Sequence, residues 1–396
     1  MKRQKTSGDG VPLKAMKYRL LCLLFLLILC FPVANAQSFV ISGKTNGYIP
    51  NGSILYLTRW NGMGPIVFFT STVVQDGTFC LRGEVTGTSD LVYLYGTEKA
   101  VGVSRLRLWL SNDTTKVLAN SEEPSTWIVE SKIPKQTEEN QYSQLKGKDN
   151  LQKFGQLNSR QLWDKSLSLD SIRILSNQMI QIALPGELSV LECLNSQPEL
   201  TDVGLVQLFF ICGYSSYITD MKHLQMAKAV YSRLSEAQKQ TYYGKMIKTR
   251  FFPDRAPDKG DGFIDAELKD LEGNTYKLSD FLHKGKYILL DFWDQNCAPC
   301  VKSVPGLKEL AASCSDKLTI ISVNVGNRYG WEKGSSDFSW LSLSDGQGMV
   351  GIASRYGVRS IPYFVLITPN GIIKNYWRGY KSQSTMEKEI ISYLCE

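Results

Sequence analysis

Histidine is scarce in this chain of 396 residues, where it occurs only at His223 and His283. A zinc ribbon needs either two Cys-x-x-Cys pairs or one such pair with suitably spaced histidines. The chain has one Cys-x-x-Cys pair, and its two histidines lie far apart in sequence. We therefore expect no metal site, and no pattern in the chain indicates another cofactor.

Long apolar runs are also missing. The N-terminal stretch at residues 20–33 has 14 residues, whereas a transmembrane helix needs about 20. This stretch follows two basic residues and precedes the small-x-small triplet Ala34-Asn35-Ala36, which is the pattern of a cleavable export signal. We predict a signal peptide over residues 1–36 and export to the periplasm or cell envelope, with an uncleaved membrane anchor as the alternative.

Two further features concern the same region. Cys30 is a candidate for lipid attachment, but Leu29 is bulky where such sites have a small residue, so the sequence does not favour a lipoprotein. Residues 1–15 lack the character of a signal, which makes Met16 a candidate start alongside Met1.

Charge of one sign is not in excess over most of the chain. The formal net charge is +7, but residues 1–36 contain six of the 45 basic residues and one of the 38 acidic residues. The remaining residues therefore carry a net charge of +2. This balance does not indicate a nucleic-acid partner.

Nine cysteines occur in the chain, and removal of the signal would leave seven. Export makes disulfides chemically possible. Five of the seven are scattered and odd in number, unlike the dense framework of a small secreted scaffold. We expect most of these five to be buried as small hydrophobic side chains. They are Cys80, Cys193, Cys212, Cys314 and Cys395.

The chain changes character twice along its length. Residues 37–128 contain short apolar runs separated by Asn-Gly and Asp-Gly pairs, which supply the positive φ angles of hairpin turns. We predict a small all-β domain there, an antiparallel sandwich or barrel with a structural or protein-contact role. Residues 129–250 have apolar residues at helical spacing and few turn signals, which predicts a helical segment without a chemical motif.

Residues 254–396 alternate predicted strands with predicted helices, which is typical of an α/β domain with a mixed sheet flanked by helices. A hairpin turning at Gly273 and a short helix at residues 279–282 come early in this region. The predicted strands cover residues 263–268, 287–293, 318–325, 363–368 and 372–377, and the predicted helices follow Cys300, lie near residues 349–356 and cover residues 385–394.

The Cys297-Ala298-Pro299-Cys300 motif stands between the apolar run at residues 287–293 and a helical pattern. Cysteines at positions i and i+3, where a strand gives way to a helix, can form a disulfide that opens and closes. The first sulfur would lie at the helix N-terminus, where unpaired N–H groups and the positive dipole end favour a thiolate. Because the thiolate is the nucleophile of thiol–disulfide exchange, redox exchange is the leading hypothesis.

Four features occur in a fixed order in the last region. They are Asp291-Phe292-Trp293, the Cys-x-x-Cys motif, Pro305 after it, and Ile361-Pro362 before a late strand. Together they resemble the thioredoxin superfamily, and most of all the TlpA-type thiol–disulfide oxidoreductases of the cell envelope, which share an extension with the AhpC/TSA-like peroxiredoxin group. The resemblance covers residues 254–396 and implies a thioredoxin-like fold. The N-terminal β segment is similar to a small domain of unknown function that is often joined to such thioredoxins.

The resemblance implies roles for four residues. Cys297 would be the attacking thiolate, and Cys300 would resolve the mixed disulfide. Asp291 matches the buried carboxylate that takes a proton from the resolving cysteine, with an ion pair to a lysine such as Lys286 as the alternative. Pro362 matches the cis-proline that faces the motif, with an ordinary trans proline at a strand edge as the alternative.

The resemblance also implies a substrate surface made of Trp293, Asn296, Ile361 and Tyr363. The backbone of Ile361 would pair with a substrate strand, and a place in the core is the alternative for Trp293. The chain departs from the family here, because Asn296 stands where Trp is usual and Tyr363 where Thr is usual. Ser303 also replaces a Glu that many TlpA-type members carry, while both sulfurs of the motif remain.

Three functions are open at this point. The favoured one is an exported enzyme that reduces or exchanges disulfides of envelope proteins. Its partners would be disulfide-containing clients and an upstream thiol donor, which a membrane thiol carrier could provide. The second is a redox-inactive envelope protein that binds partners or serves as a scaffold. The third is a thiol peroxidase, which normally has Thr or Ser three residues before its reactive cysteine, where this chain has Asp294.

Overall fold

The computed structural model describes residues 37–59, 67–85, 90–96, 101–102, 104–164, 166–282, 284–336, 338–380 and 385–395. The predicted signal peptide at residues 1–36, with the candidate lipid site at Cys30, lies outside the described residues. Within the described ranges, no helix is both long enough and apolar enough to cross a membrane.

Strands dominate the chain up to residue 130. They are β1 (Gln37–Lys44), β2 (Ile54–Arg59), β3 (Val67–Val73), β4 (Thr78–Val85), β5 (Asp90–Gly96), β6 (Leu106–Leu110), β7 (Thr114–Leu118) and β8 (Ile128–Glu130). One sheet has the order β4-β1-β7-β8 and the other has the order β3-β2-β5-β6. Apolar side chains from both sheets form one core, which makes this region a sandwich.

The sandwich differs from the predicted antiparallel one at a single pairing. Strands β1 and β7 run parallel, because β7 returns to the first sheet after the chain has passed through the second. Two of the predicted turn pairs have the backbone that hairpins require. Asn46 and Gly47 have φ angles of 47° and 80°, and Asp76 and Gly77 have φ angles of 48° and 68°.

Helices follow from residue 134 to residue 251. They are α1 (Pro134–Lys146), α2 (Lys148–Trp163), α3 (Leu169–Ser196), α4 (Asp202–Cys212), α5 (Met221–Ser232), α6 (Glu236–Gln240) and α7 (Tyr242–Phe251). Buried polar contacts join α1 to the sandwich. Arg107 of β6 forms a 2.8 Å ion pair with Glu139, and the backbone N–H of Trp109 donates to Gln136 at 2.8 Å.

The C-terminal region has a five-stranded mixed sheet with the order β13-β12-β11-β14-β15. Strands β11, β12 and β13 are parallel, β14 is antiparallel to its neighbour β11, and β15 is antiparallel to β14. A separate hairpin consists of β9 (Glu267–Lys269) and β10 (Thr275–Lys277). The sheet strands are β11 (Tyr287–Trp293), β12 (Leu318–Asn324), β13 (Leu341–Leu343), β14 (Tyr363–Ile367) and β15 (Ile373–Arg378), and the helices are α8 (Ala298–Ser313), α9 (Arg328–Ser335), α10 (Ile352–Arg355) and α11 (Met386–Leu394).

The two faces of this sheet bury different side chains. Leu289 packs in a cluster with residues of α8 and α11, whereas Ile288 and Leu290 pack in the cluster on the opposite face. Since successive strand residues point to opposite faces, Asp291 shares the face of Leu289 and of α8. The predicted fold, a thioredoxin-like α/β domain preceded by an all-β domain and a helical segment, is confirmed.

Some element boundaries differ from the predictions. A strand was predicted at residues 263–268, but the structure has a shorter one at Glu267–Lys269. Phe263 lies outside it, and its N–H donates to the Gly371 carbonyl in a turn. The helix predicted near residues 349–356 is split at Gly351 into a 3-10 turn (Gly348–Val350) and α10. The helix α9 and the edge strand β13 were not predicted.

Candidate active site at the junction of strand β11 and helix α8

The loop between β11 and α8 is closed by hydrogen bonds that its first residue, Asp294, accepts. The Asp294 carbonyl accepts from the Cys297 N–H at 3.0 Å, and the Asp294 carboxylate accepts from the Asn296 N–H at 2.8 Å. Gly326 leaves room for this carboxylate, since a Cβ there would lie 2.3 Å from Asp294 Oδ2. The loop therefore places Cys297 at the N-cap of α8.

Cys297 and Cys300 form a disulfide across the first turn of α8, with their Cα atoms 5.2 Å apart. Cys297 is the N-cap residue, and its sulfur accepts from the Cys300 N–H at 3.3 Å. Cys297 is half-buried, whereas Cys300 is only 2% exposed. After reduction, the outer sulfur would meet the helix N-terminus, which stabilises a thiolate.

A second loop approaches the disulfide from the start of β14. The carbonyl oxygen of Ile361 lies 3.6 Å from the Cys297 sulfur. The Ile361–Pro362 peptide bond is cis, so the trans alternative for Pro362 does not hold. The Pro362 carbonyl accepts from the Gly379 N–H at 2.8 Å, which ties this loop to the end of β15.

Asp291 lies on the face of β11 that α8 covers and is only 2% exposed. One of its oxygens accepts a hydrogen bond from the Ser322 hydroxyl at 2.8 Å. Burial raises the pKa of Asp291 from 3.8 to about 7, and the hydrogen bond from Ser322 opposes this rise. The alternative of an ion pair with Lys286 is wrong, because the Lys286 ammonium donates to the Ser315 carbonyl at the other end of the strand.

The four residues predicted to contact substrate separate into two groups. Asn296 is exposed and Ile361 is half-buried, so both border the disulfide at the surface. Trp293 is 2% exposed and packs with Cys300 and Trp331, and Tyr363 is 4% exposed and packs on the opposite face of the sheet. Neither of the two buried side chains can reach a substrate in this structure, so their predicted substrate contact is corrected to a place in the core.

Three residues of the site escaped the analysis of the sequence. Trp331 lies under the motif, Ser322 binds Asp291, and the Trp340 indole N–H donates to the Ser322 hydroxyl at 2.9 Å. A serine inside an apolar strand is a signal for a buried hydrogen bond, but its partner depends on the pairing of strands. Within the described residues, no group of three or more His, Cys, Asp or Glu side chains could hold a metal ion.

Comparison with known proteins places the similarity in the C-terminal region. A family model described as thioredoxin-like matches residues 285–373. The thiol-disulfide oxidoreductase ResA of Geobacillus kaustophilus is 31% identical over 154 residues, which are 38% of this chain and 86% of ResA. The thioredoxin-like protein YneN of Bacillus subtilis is 30% identical over 132 residues, which are 32% of this chain and 75% of YneN.

The solved structures that are similar also match about a third of the chain. The crystal structure of the thioredoxin domain of a thiol-disulfide oxidoreductase from Bacteroides vulgatus is 24% identical, with a TM-score of 0.31. The match covers 35% of this chain and 99% of that domain.

Proposed function

The chain belongs to the thioredoxin superfamily, in the TlpA-type branch of thiol–disulfide oxidoreductases, and from this premise we propose that it is an exported enzyme that reduces or exchanges disulfides in proteins of the cell envelope. The observation that carries the proposal is the Cys297–Cys300 disulfide at the start of α8, with an outer sulfur at the surface and an inner sulfur that is buried. A redox pair needs this asymmetry, since one sulfur must meet the client and the other must stay available to release it.

The proposed reaction begins with the reduced pair. The Cys297 thiolate attacks one sulfur of a client disulfide, and the other client sulfur leaves as a thiolate. Cys300 then loses its proton to the Asp291 carboxylate and attacks the Cys297 sulfur. The mixed disulfide breaks, the second client thiolate leaves, and the Cys297–Cys300 disulfide forms. The client gains two electrons, and an upstream dithiol must return two electrons to the enzyme.

The position of Asp291 supports its role as the proton acceptor. It stands two residues before Trp293 on the same face of β11, and Trp293 packs against Cys300. A pKa of about 7 lets this carboxylate exchange a proton near neutral pH. Ile361 is proposed to hold the client, because its carbonyl borders the reactive sulfur and a client strand can bond to such a backbone group.

Two cysteine variants test the chemistry with insulin as the disulfide substrate and dithiothreitol as the reductant. Cys297→Ser should lower insulin reduction to the uncatalysed rate, because the nucleophile is gone. Cys300→Ser, reduced beforehand and then freed of dithiothreitol, should accumulate a mixed disulfide between Cys297 and insulin, visible on a non-reducing gel. The control is Cys314→Ser at the far end of α8, which should retain wild-type activity.

The same experiment decides between the functions that the sequence left open. Unchanged insulin reduction in Cys297→Ser, with no adduct in Cys300→Ser, would contradict the redox mechanism and favour the scaffold function. Consumption of hydrogen peroxide by the purified protein, dependent on Cys297, would favour the thiol peroxidase. Asp294 argues against the peroxidase. It stands three residues before Cys297, where a peroxidase has a hydroxyl side chain, and its carboxylate accepts a hydrogen bond from the Asn296 N–H.

Export and the domain division are further parts of the proposal. The signal pattern at residues 1–36 supports export, and a fusion of these residues to alkaline phosphatase, which is active only outside the cytoplasm, tests it. We propose that residues 37–128 form a β domain, that residues 129–250 form a helical segment and that residues 254–396 carry the redox chemistry. Absence of phosphatase activity in the fusion would contradict export.

A further inference from the structure

A chain of two hydrogen bonds reaches Asp291 from the edge of the C-terminal sheet. The Trp340 indole N–H donates to the Ser322 hydroxyl oxygen at 2.9 Å, and the Ser322 hydroxyl donates to Asp291 Oδ2 at 2.8 Å. Ser322 is completely buried in β12, directly opposite Asp291 in the parallel ladder. Trp340 stands immediately before β13, which pairs with β12.

The chemistry of the three groups sets the direction of both bonds. An indole N–H can only donate, so the Ser322 oxygen is an acceptor toward Trp340. The single hydroxyl proton of Ser322 is then directed to Asp291. Trp340 is held in place by stacking on Phe338, with ring centroids 4.7 Å apart. A serine hydroxyl fixed in this way stabilises the ionised form of Asp291 more than the protonated form, because a charged carboxylate accepts a stronger hydrogen bond than a neutral carboxyl group does.

No charged side chain replaces Ser322 in this role among the described residues. Strands β12 and β13 contain no ionisable side chain, and β14 contains only Tyr363, which packs on the opposite face. Burial raises the pKa of Asp291 and the Ser322 hydroxyl lowers it, and the helices α8 and α11 on the same face of the sheet also carry charged side chains. Those charged side chains are Lys302, Lys308, Glu309, Glu387, Lys388 and Glu389.

We propose that Ser322 and Trp340 are positioning residues that hold Asp291 ionised for transfer of the Cys300 proton. This inference rests on the proposed function, because it gives Asp291 a base's task in resolving the mixed disulfide. Trp340 acts through Ser322, and Ser322 acts through Asp291; neither touches the client or the sulfurs.

The test follows the titration of the Asp291 carboxyl carbon by NMR in the full oxidised protein, with Asp291→Asn used to assign the signal. A hydrogen bond to a charged acceptor contributes enough to move a titration midpoint by about one pH unit. Ser322→Ala should therefore raise the Asp291 midpoint by about one pH unit, and Trp340→Phe should raise it by less. Insulin reduction by Ser322→Ala at pH 7 should fall about fivefold and recover at higher pH, because the carboxylate fraction falls from about a half to about a tenth.

Two controls separate positioning from general damage to the domain. Trp377→Phe removes an indole that donates to Glu389 instead, and it should leave the Asp291 midpoint unchanged. Ser322→Thr keeps a hydroxyl, and it should restore the midpoint toward that of the wild type. An Asp291 midpoint that does not rise in Ser322→Ala would overturn the inference. A wild-type protein without reductase activity would contradict the proposed function. The Asp291 titration would still test the positioning role of Ser322 and Trp340, because it requires no turnover.

Discussion

The buried carboxylate makes the stability of the redox domain depend on pH in a direction opposite to that of a salt-bridged acid. Asp291 has a pKa of about 7 in the folded protein and 3.8 as the ordinary value. A group whose pKa is raised by folding contributes its stability below the unfolded pKa, and that contribution is lost as the pH rises through the folded pKa. The relevant window is therefore pH 4 to 7, with little further change above it.

The magnitude follows from these two pKa values. Between pH 5 and pH 8.5 the wild type should lose about 3 kcal/mol of unfolding free energy through Asp291 alone. Asp291→Asn cannot ionise, so it should be more stable than the wild type at pH 8.5, and the difference should shrink by about 3 kcal/mol at pH 5. The Asn side chain fills the same volume and can still accept the bond from Ser322, which limits other changes.

Hydrogen exchange of β11 in the full oxidised chain measures this effect, after correction for the intrinsic exchange rate at each pH. The protection of β11 reports the free energy of opening the central sheet. Asp316→Asn is the matched control, since this exposed residue in the turn after α8 undergoes the same chemical change. The reasoning is refuted if Asp291→Asn and Asp316→Asn show the same dependence of β11 protection on pH.

Two further predictions concern packing. Glu139→Ala removes the buried carboxylate that pairs with Arg107 and should destabilise the contact between the sandwich and α1 by about 3 kcal/mol; hydrogen exchange of β6 measures this, and Glu139→Gln should cost less. Gly334→Ala places a Cβ 2.7 Å from the Trp293 ring and 2.3 Å from Gln295 Oε1, so it should destabilise the site by about 1–3 kcal/mol and slow insulin reduction. Unaltered β6 exchange in Glu139→Ala would show that the ion pair does not stabilise this contact. Unaltered urea unfolding and insulin reduction in Gly334→Ala would show that the close packing at Gly334 does not support the site.

The amino-acid sequence was sufficient for the parts of the site that depend on local order. The strand over Tyr287–Trp293, the helix after the motif and the placement of Cys297 at its N-cap follow from apolar patterning and from residues adjacent in sequence. The turns at Asn46 and Asp76 follow from the backbone freedom of Asn-Gly and Asp-Gly pairs.

Other parts depended on which strands become neighbours. The parallel pairing of β1 with β7 and the short β13 were not visible in local patterns, and the sequence left Trp293 open between substrate contact and a place in the core. Burial of Tyr363 was missed for a similar reason, because both faces of a central strand are covered and alternation no longer separates inside from outside.

The sequence by itself determined the pair of sulfurs, their order along the chain and the start of the helix that carries them. These features are local, because the two cysteines are only three residues apart. Only the tertiary structure decided the surroundings of Asp291. Ser322 lies 31 positions away and Trp340 a further 18. Parallel pairing of β11, β12 and β13 places the three side chains on one face of the sheet, where Ser322 bonds to the carboxylate and Trp340 bonds to Ser322. The register of non-local strands is set by the burial of whole faces, and a residue's own neighbours in sequence do not encode it.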